Sequence, residues 1–205
     1  MNKKRRQAYE LHSQPLGRFC VRLGLTPNLI TYTSLIVSIA AGIVLWKGFF
    51  IWGIALIILT SVMDMLDGAT ARAGNMGTVF GGILDHVLDR YAEFFILSGI
   101  LLSGRVHPVW PLFAVFGMIM ASYSRKAAES IGKLSSAEVG MVGRLEKFIV
   151  IMLGLALVAI FPGYEIIGLN LLEIALIVVG TVSHITSIQR LYFAKKELDR
   201  RTQDG

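Results

Sequence analysis

The chain has 205 residues, of which 54% are hydrophobic, and its mean hydropathy of +0.63 excludes an ordinary soluble domain. Its apolar residues form successive runs of about 20, and roughly 17–25 are needed to cross a bilayer. The net charge of +6 is distributed in a way that indicates membrane topology and not a nucleic-acid partner.

The first 25 residues are predicted to form a juxtamembrane segment. Residues 1–14 are polar and basic and contain no apolar run of a cleavable signal peptide. Pro15 then starts a helical pattern in which Leu16, Phe19 and Leu23 share one face and arginines occupy another. This pattern predicts an amphipathic helix at the membrane interface. Cys20 is the only cysteine, so no intramolecular disulfide forms, and we predict a buried, inert thiol.

Six transmembrane helices are predicted to follow, as a six-helix bundle over residues 28–194. Thr26 and Pro27 mark the start of the first helix, since Thr caps helices and Pro fits their first turn. Residues 195–205 are predicted to form a basic tail, and the whole chain is predicted to be one membrane domain, 1–205. The predicted spans are 28–46, 50–73, 78–103, 109–130, 143–161 and 168–194.

The basic residues are divided unequally between the two sides of this bundle. Only Lys47 and Arg105 fall on one side, so the positive-inside rule makes the other side cytoplasmic. The sequence therefore predicts an all-α polytopic protein of the cell (plasma) membrane with both termini and the polar site in the cytoplasm. The residues on the cytoplasmic side are Lys3, Lys4, Arg5, Arg6, Arg72, Arg125, Lys126, Lys133, Arg144, Lys147, Lys195, Lys196, Arg200 and Arg201.

Four aspartates lie in the otherwise apolar second and third spans. An aspartate at the centre of a membrane helix costs roughly 2.5–3.5 kcal/mol, so such residues are retained for function. Asp64 and Asp67 are three residues apart, and Asp85 and Asp89 are four apart, so each pair shares a helix face. The short loop at 73–77 makes the two helices antiparallel neighbours. The four carboxylates are predicted to converge near the cytoplasmic side.

Carboxylate oxygens favour a hard divalent cation such as Mg²⁺, Mn²⁺ or Ca²⁺, of which we predict Mg²⁺ or Mn²⁺, and the absence of a nearby thiol disfavours zinc. His86 is one residue off the Asp85 face and is predicted not to be a ligand. Arg72 has two interpretations: it pairs with an aspartate, or it clamps a phosphate with its bidentate fork. A metal beside an arginine indicates a phosphorylated substrate, to which Thr78 can add a hydroxyl donor.

These residues belong to a longer pattern with set spacings. The pattern is Asp64-x-x-Asp67-Gly68-x-x-Ala71-Arg72 and, after eight further residues, Gly81-x-x-x-Asp85-x-x-x-Asp89. It resembles the signature of the CDP-alcohol phosphotransferase (phosphatidyltransferase) family at every fixed position. The six spans, the N-terminal helix and the start of the first span extend the resemblance to nearly the whole chain.

The resemblance implies an enzyme that transfers a phosphatidyl group, or an ether-lipid equivalent, from a CDP-linked lipid to a hydroxyl acceptor and releases CMP. It implies a divalent metal site of Asp64, Asp67 and Asp85 completed by Asp89, which is also the base that activates the acceptor. It further implies a homodimer. The donor-binding residues that it implies are Gly68, Arg72, Thr78, Pro27, Asn28, Leu29 and Ile30.

The acceptor has two readings. Basic residues at the cytoplasmic ends of spans 4 and 5 are positive-inside anchors, or they form a pocket for an acceptor phosphate. The segments SYSRKAAES and GRLEKFI loosely resemble enzymes that use inositol phosphate, which implies that Arg125 and Arg144 bind that phosphate. Ala127 departs from the pattern, with Lys126 or Lys133 as substitutes, so glycerol 3-phosphate remains the alternative acceptor.

A hypothesis from a different class is a divalent-cation transporter that uses the aspartates as its filter. The outer halves of spans 2 and 3 read FFIWGIALI and FFILSGILL and offer no polar path across the membrane. This observation favours the enzyme. A non-catalytic scaffold is disfavoured because every signature position is intact.

Overall fold

The computed structural model describes residues 14–134 and 142–203. Residues 1–13, which include the N-terminal basic cluster, and the last two residues of the predicted tail lie outside this range. The described chain is helical apart from one pair of two-residue strands. Its helices are α1 (14–22), α2 (Pro27–Trp46), α3 (Phe50–Ala73), α4 (Val79–Leu102), α5 (Val109–Ser130), α6 (Arg144–Ile160) and α7 (Leu171–Gln203).

The predicted helices are present, with one large difference in length. Helix α7 begins at Leu171 and continues to Gln203, so the residues predicted as a tail from 195 onward extend the helix instead. The sequence Lys195–Arg201 is rich in good helix formers, and polarity alone did not end the helix.

Three helices are long and apolar enough to cross a membrane by length and composition: α2, α3 and α7. Helix α6 has 17 residues, which is at the lower limit of about 17–25 for a span. Helix α4 carries several charged residues within its first half, among them Asp85, Asp89 and Arg90. The structure therefore supports an all-helical membrane protein in which α2, α3 and α7 have the length and apolar composition of membrane spans.

The described residues form two compact units, one up to Gly99 and the other from Ile100 onward. In the first unit, α2 packs along α3, and α4 approaches α2 closely. A Cβ added at Gly42 or Gly99 would overlap the facing backbone of the other helix. These two glycines therefore set how closely α2 and α4 pack.

Helix α1 lies on α3 in the same unit. A Cβ at Gly17 would overlap the carbonyl of Ala69, so the backbones are in contact there. Cys20 is buried and unbridged, as predicted, because it faces α3 and not the exposed apolar face. Leu16, Phe19 and Leu23 form that exposed face.

In the second unit, α5 and α6 pack against α7. The core contains side chains from each helix, including Met118, Ile151 and Leu176. The connection before α7 contains two antiparallel strands, β1 (Glu165–Ile166) and β2 (Leu169–Asn170), and β2 occupies the start of the predicted span 168–194. Ile167 and Gly168 both have positive φ, 56° and 72°, as the tight turn of such a hairpin requires.

Candidate active site

Two hydroxyl groups of α2 hold the aspartates of α3. Thr31 Oγ1 donates to Asp67 Oδ2 over 2.9 Å, and Ser34 Oγ donates to Asp64 Oδ1 over 2.9 Å. Thr31 Oγ1 also lies 3.0 Å from the carbonyl of Pro27, so its single proton has two acceptors. Thr31, Ser34 and Asp67 are all buried. The hydroxyls therefore fix how the two carboxylates point.

Sequence reasoning missed these two hydroxyl partners. Thr31 and Ser34 are three residues apart in an apolar helix, and so are Asp64 and Asp67. Because both pairs have the same spacing, each pair lies on one face of its helix, and the two faces can meet. That coincidence was the available signal, but it becomes meaningful only once the two helices are known to be neighbours.

The aspartates of α4 are more exposed than Asp67. The Asp85 side chain is 36% exposed, with Oδ2 3.5 Å from Nδ1 of His86, which itself faces outward. The Asp89 side chain is 16% exposed, with Oδ2 3.7 Å from Nη2 of Arg90. Asp85 and Asp64 both repel Asp67 electrostatically, so carboxylates of α3 and α4 lie close to one another.

Among the residues that the structure describes, no group of three or more His, Cys, Asp or Glu side chains is gathered tightly enough to hold a metal ion as placed. Of the predicted convergence of the four carboxylates, the structure shows the electrostatic effect of Asp64 and Asp85 on Asp67. For Asp89 the convergence stays a prediction. The donor chemistry fits a hard divalent cation, because the repelling groups are all carboxylates. A cation would offset that repulsion.

A cavity of about 210 Å³ opens beside these aspartates. Its lining includes the predicted donor-binding residues Pro27, Asn28, Gly68 and Thr78, but not Arg72, Leu29 or Ile30. Leu29 is half exposed and Ile30 is buried elsewhere in the unit. The full lining is Pro27, Asn28, Thr31, Asp67, Gly68, Ala71, Met76, Gly77, Thr78, Gly81, Gly82 and Asp85.

Two helices begin at the wall of this cavity. The Thr26 hydroxyl accepts from the backbone N–H of Leu29 over 3.3 Å at the start of α2. The Thr78 hydroxyl accepts from the N–H of Gly81 over 2.9 Å at the start of α4. Neither helix has an acidic residue in its first turn. Their N-terminal dipole ends favour an anion, so the cavity suits a phosphate-bearing ligand.

Glycine keeps the cavity wall open. A Cβ at Gly81 would lie 3.0 Å from Thr78 Oγ1 and 3.1 Å from Asn28 Oδ1, so a side chain there would displace both groups. A Cβ at Gly68 would lie 3.3 Å from Nη1 of Arg72, whose side chain folds back over that glycine. Within the described chain Arg72 pairs with no aspartate, which leaves the phosphate interpretation in place.

The predicted acceptor residues lie in the second unit. Arg125 Nε and Lys126 Nζ contact the two oxygens of Glu129, at 2.8 and 3.2 Å. Lys133 is exposed at a positive φ of 49°, and its carbonyl accepts from Nη1 of Arg201 over 3.3 Å. The structure therefore brings Arg125 and Lys126 together, and ties Lys133 to the end of α7.

Arg144 and Lys147 take different positions on α6. The Arg144 guanidinium lies 5.6 Å from the centre of the Phe148 ring. Lys147, counted in the sequence as a cytoplasmic anchor, is only 6% exposed. Burial makes Lys147 unlike an ordinary topology signal, because an anchoring lysine keeps its ammonium in water.

Arg190 is a basic residue of α7 that sequence reasoning missed. Its guanidinium donates to the carbonyl of Ala121 on α5, and the charges of Arg125 and Glu129 act on it. A single arginine inside the last apolar span was the available signal. Its partners are more than 60 residues away in the chain, so only the packing of α5 on α7 brings them together.

Comparison with known proteins gives consistent results. Residues 24–186 match the family model for CDP-alcohol phosphatidyltransferase. An archaetidylinositol phosphate synthase from Methanothermobacter thermautotrophicus is 35% identical over 86% of this chain and 87% of its own. A phosphatidylinositol phosphate synthase from Mycobacterium marinum is 32% identical over 91% of this chain and 81% of its own.

Solved structures agree with these relatives. The Mycobacterium tuberculosis phosphatidylinositol phosphate synthase with CDP-DAG bound has a TM-score of 0.76 and 27% identity, over 89% of this chain and 92% of that chain. The same enzyme in complex with manganese and citrate has a TM-score of 0.76 and 28% identity, over 89% and 88%.

Proposed function

This chain belongs to the CDP-alcohol phosphatidyltransferase family, and we propose that it transfers a phosphatidyl group, or its ether-lipid equivalent, from a CDP-linked lipid to inositol phosphate, releasing CMP. It is a metal-dependent enzyme of phospholipid synthesis that takes Mg²⁺ or Mn²⁺. The observation that carries this function is a cavity lined by residues at the starts of α2 and α4 and by two signature aspartates, Asp67 and Asp85.

The donor is assigned to this cavity. Gly68, Gly81 and Thr78 leave room for the nucleotide, and the N-termini of α2 and α4 attract its phosphates. Arg72 is suited to a phosphate oxygen, because its guanidinium has no acidic partner among the described residues. Pro27 and Asn28 contribute side chains to the cavity wall, and Leu29 and Ile30 complete the same helical turn.

Asp64, Asp67, Asp85 and Asp89 are the residues that would hold the divalent cation. When bound, the cation supplies positive charge that offsets the negative charge developing on the CMP leaving group. Thr31 and Ser34 support the site, because each hydroxyl donates to one carboxylate oxygen and so orients that aspartate.

Asp89 accepts the proton from the acceptor hydroxyl. As that oxygen forms a bond to the phosphorus of the CDP-lipid, the bond from phosphorus to the oxygen of CMP breaks, and the proton is held on the Asp89 carboxylate. The placement of the carboxylate contributes more than its basicity, since an aspartate is a weak base.

The acceptor phosphate is assigned to the basic residues of the second unit: Arg125, Lys126, Lys133 and Arg144, together with Arg190. Arg125, Lys126 and Arg190 all interact with Glu129, and a cluster in which three cations gather suits a phosphate. Glycerol 3-phosphate remains the alternative acceptor, and the relatives named for inositol phosphate products favour the first.

We further propose the membrane arrangement that the sequence indicated. All six helices from α2 to α7 cross the bilayer, and α1 lies at the interface with Leu16, Phe19 and Leu23 toward lipid. Both termini and the cavity face the cytoplasm of a plasma membrane, where a CDP-lipid keeps its nucleotide in water. A homodimer is proposed on the family resemblance.

The test is release of CMP by the purified full-length protein from a CDP-lipid with Mg²⁺ or Mn²⁺. Inositol phosphate, glycerol 3-phosphate, serine and free inositol are supplied in parallel as acceptors. We expect turnover with inositol phosphate to exceed the others by at least about tenfold. Free inositol and serine lack the phosphate that the basic cluster would bind.

Two results would contradict the proposal. Preference for free inositol or serine would remove the role of the basic cluster. Absence of CMP release with any acceptor, combined with Mn²⁺ uptake into vesicles that contain the protein, would support the cation transporter instead.

A further inference from the structure

We propose that Glu93 is a positioning residue for Asp89: it holds the Arg90 guanidinium one helical turn away, so that Arg90 does not close a tight pair on Asp89. The inference rests on the proposed role of Asp89 as the base. It adds two residues of α4 to the site that no signature position includes.

The contacts of Arg90 are unequal. Its Nη2 atom lies 2.8 Å from Oε1 of Glu93 and 3.7 Å from Oδ2 of Asp89. The first distance is that of a charge-assisted hydrogen bond, and the second is an ion-pair contact beyond hydrogen-bond length. Glu93 therefore takes the stronger interaction with the guanidinium, although Asp89 is the adjacent residue in the chain.

The position of Glu93 is unusual for a charged side chain. It has no exposed surface, and it lies on a helix face that continues with Ile96, Leu97 and Ile100, all of which are equally buried. An apolar residue at 93 would extend that face at no cost in desolvation. Replacement of a buried ion pair by apolar residues is often neutral or stabilising. Stability alone therefore does not account for the carboxylate.

Proton acceptance does account for it. An arginine beside a carboxylate tends to bind both oxygens in a parallel, bidentate pair. Such a pair would turn the Asp89 carboxylate toward Arg90 and away from the acceptor hydroxyl. With Glu93 in place, the guanidinium is drawn along the helix by its shorter contact. Asp89 then has the positive charge of Arg90 nearby, but it does not form a bidentate pair with the guanidinium.

The proposal predicts a particular pattern among variants. Glu93→Gln removes the charge that holds Arg90, so Arg90 moves onto Asp89, and kcat falls by about tenfold or more, within the range that a general base contributes. The KM for the CDP-lipid stays within about threefold of the parent protein, because neither Arg90 nor Glu93 lines the donor cavity.

Removal of both partners should restore activity. The double variant Arg90→Gln/Glu93→Gln has no guanidinium to close on Asp89, so its kcat should return to within about threefold of the parent value. The effects of the two substitutions on kcat would then be non-additive, which indicates that Arg90 and Glu93 act through each other. A general loss of folding would not restore kcat in the double variant. Glu93→Asp, which keeps the charge but shortens the side chain, should lower kcat in the same direction by a smaller factor.

Glu173→Gln is the matched control. Glu173 is a second buried glutamate, in the other unit, where it accepts from the backbone N–H groups of His107 and Asn170. The same substitution there should lower the apparent melting temperature and leave kcat unchanged. It therefore separates loss of a buried carboxylate from loss of the position of Asp89.

The outcomes are distinguishable from those of the proposed function. Unchanged kcat in Glu93→Gln, or a double variant that is as impaired as the single one, would overturn the inference. If Glu93→Gln does not fold, Glu93→Asp and the double variant decide the question by the same criteria. Full turnover in Asp89→Asn would instead overturn the assignment of the base, and this inference with it.

Discussion

At the scale of single residues, the carboxylates depend on their hydroxyl partners. Asp67 is 6% exposed and accepts from Thr31, and Asp64 accepts from Ser34 in the same way. A buried carboxylate without a donor would carry the full cost of its desolvation. The hydroxyls reduce that cost without neutralising the charge, which leaves the aspartates available to a cation.

We expect Thr31→Val to weaken Mn²⁺ binding by about 10- to 100-fold, the usual effect of losing a group that orients a metal ligand. The reason is that Asp67 loses its 2.9 Å donor while the size of the side chain is kept. Binding is measured by calorimetry on the full-length protein. Thr33→Val is the control, since Thr33 donates only to the carbonyl of Leu29 on the same helix. Equal affinity in the two variants would contradict the prediction.

Gly81 is the residue at which the space for the donor is most restricted. Gly81→Ala should raise the KM for the CDP-lipid by about tenfold, because the new methyl group pushes Thr78 or Asn28 into the cavity. The KM for the acceptor should not change. Steady-state kinetics with each substrate varied in turn makes the comparison, and an increase confined to the acceptor KM would refute the assignment of this cavity.

At the scale of elements, a glycine lets α1 pack closely on α3. The backbone of Gly17 contacts the carbonyl of Ala69, and Cys20 lies one turn further along, buried and unbridged. The exposed apolar residues of α1 point away from this contact. The helix therefore has one face that packs on α3 and a separate exposed apolar face. Composition alone did not distinguish these two faces.

Gly17→Leu should displace α1, because no side chain fits between it and the Ala69 carbonyl. Cys20 reports the displacement, since it is the single cysteine and is 6% exposed. We expect its rate of reaction with a maleimide to rise by about tenfold or more as local opening is favoured. Arg18→Leu introduces the same side chain at the neighbouring exposed position and should leave the rate unchanged. Similar rates in both variants would count against this seating.

The start of α7 is stabilised by a side-chain cap. Asn170 Oδ1 accepts from the N–H of Glu173 over 2.9 Å, and Glu173 accepts from the N–H of Asn170 over 3.0 Å, a reciprocal capping box. Asn170 Nδ2 also donates to the carbonyl of Arg105 over 2.7 Å. The cap thus joins the hairpin and the 105–107 loop to the longest helix of the chain.

Asn170→Ala should lower the stability of the protein by about 1 kcal/mol, the usual cost of losing such a cap. The expected readout is a lower apparent melting temperature in detergent, with kcat unchanged. An unaltered melting temperature would show that β1 and β2 hold the start of α7 without the cap.

At the scale of the whole molecule, residues that are distant in the chain meet through helix packing. Arg125 and Glu129 on α5 act on Arg190 of α7, and Arg190 donates to the Ala121 carbonyl. A guanidinium anchored at one end to a backbone carbonyl keeps its remaining donors in a fixed direction. That arrangement is suited to a phosphate and costs little further ordering on binding.

Arg190→Gln should raise the KM for inositol phosphate by about tenfold or more, and leave the KM for the CDP-lipid within about twofold, because a charge-assisted contact to phosphate is lost. Arg105→Gln provides the comparison, since Arg105 lies on the predicted opposite side of the membrane and should affect neither value. Equal increases in both KM values for Arg190→Gln would point to a structural role in holding α5 on α7.

The sequence alone determined the helical membrane class, the helices to within a few residues except at the end of α7, and the family. These follow from periodic apolar runs and from spacings within one helix, both of which are local. Of the donor residues that it predicted, Pro27, Asn28, Gly68 and Thr78 line the cavity.

Only the tertiary structure decided the partners. Thr31 and Ser34 reach the aspartates, Asn28 meets Gly81, and Arg190 joins Arg125 because helices pack at particular faces and depths. Sequence spacing fixes which residues share a face, but not which face of another helix lies opposite. The unequal contacts of Arg90 with Glu93 and Asp89 likewise depend on side-chain conformation and burial, which no spacing rule contains.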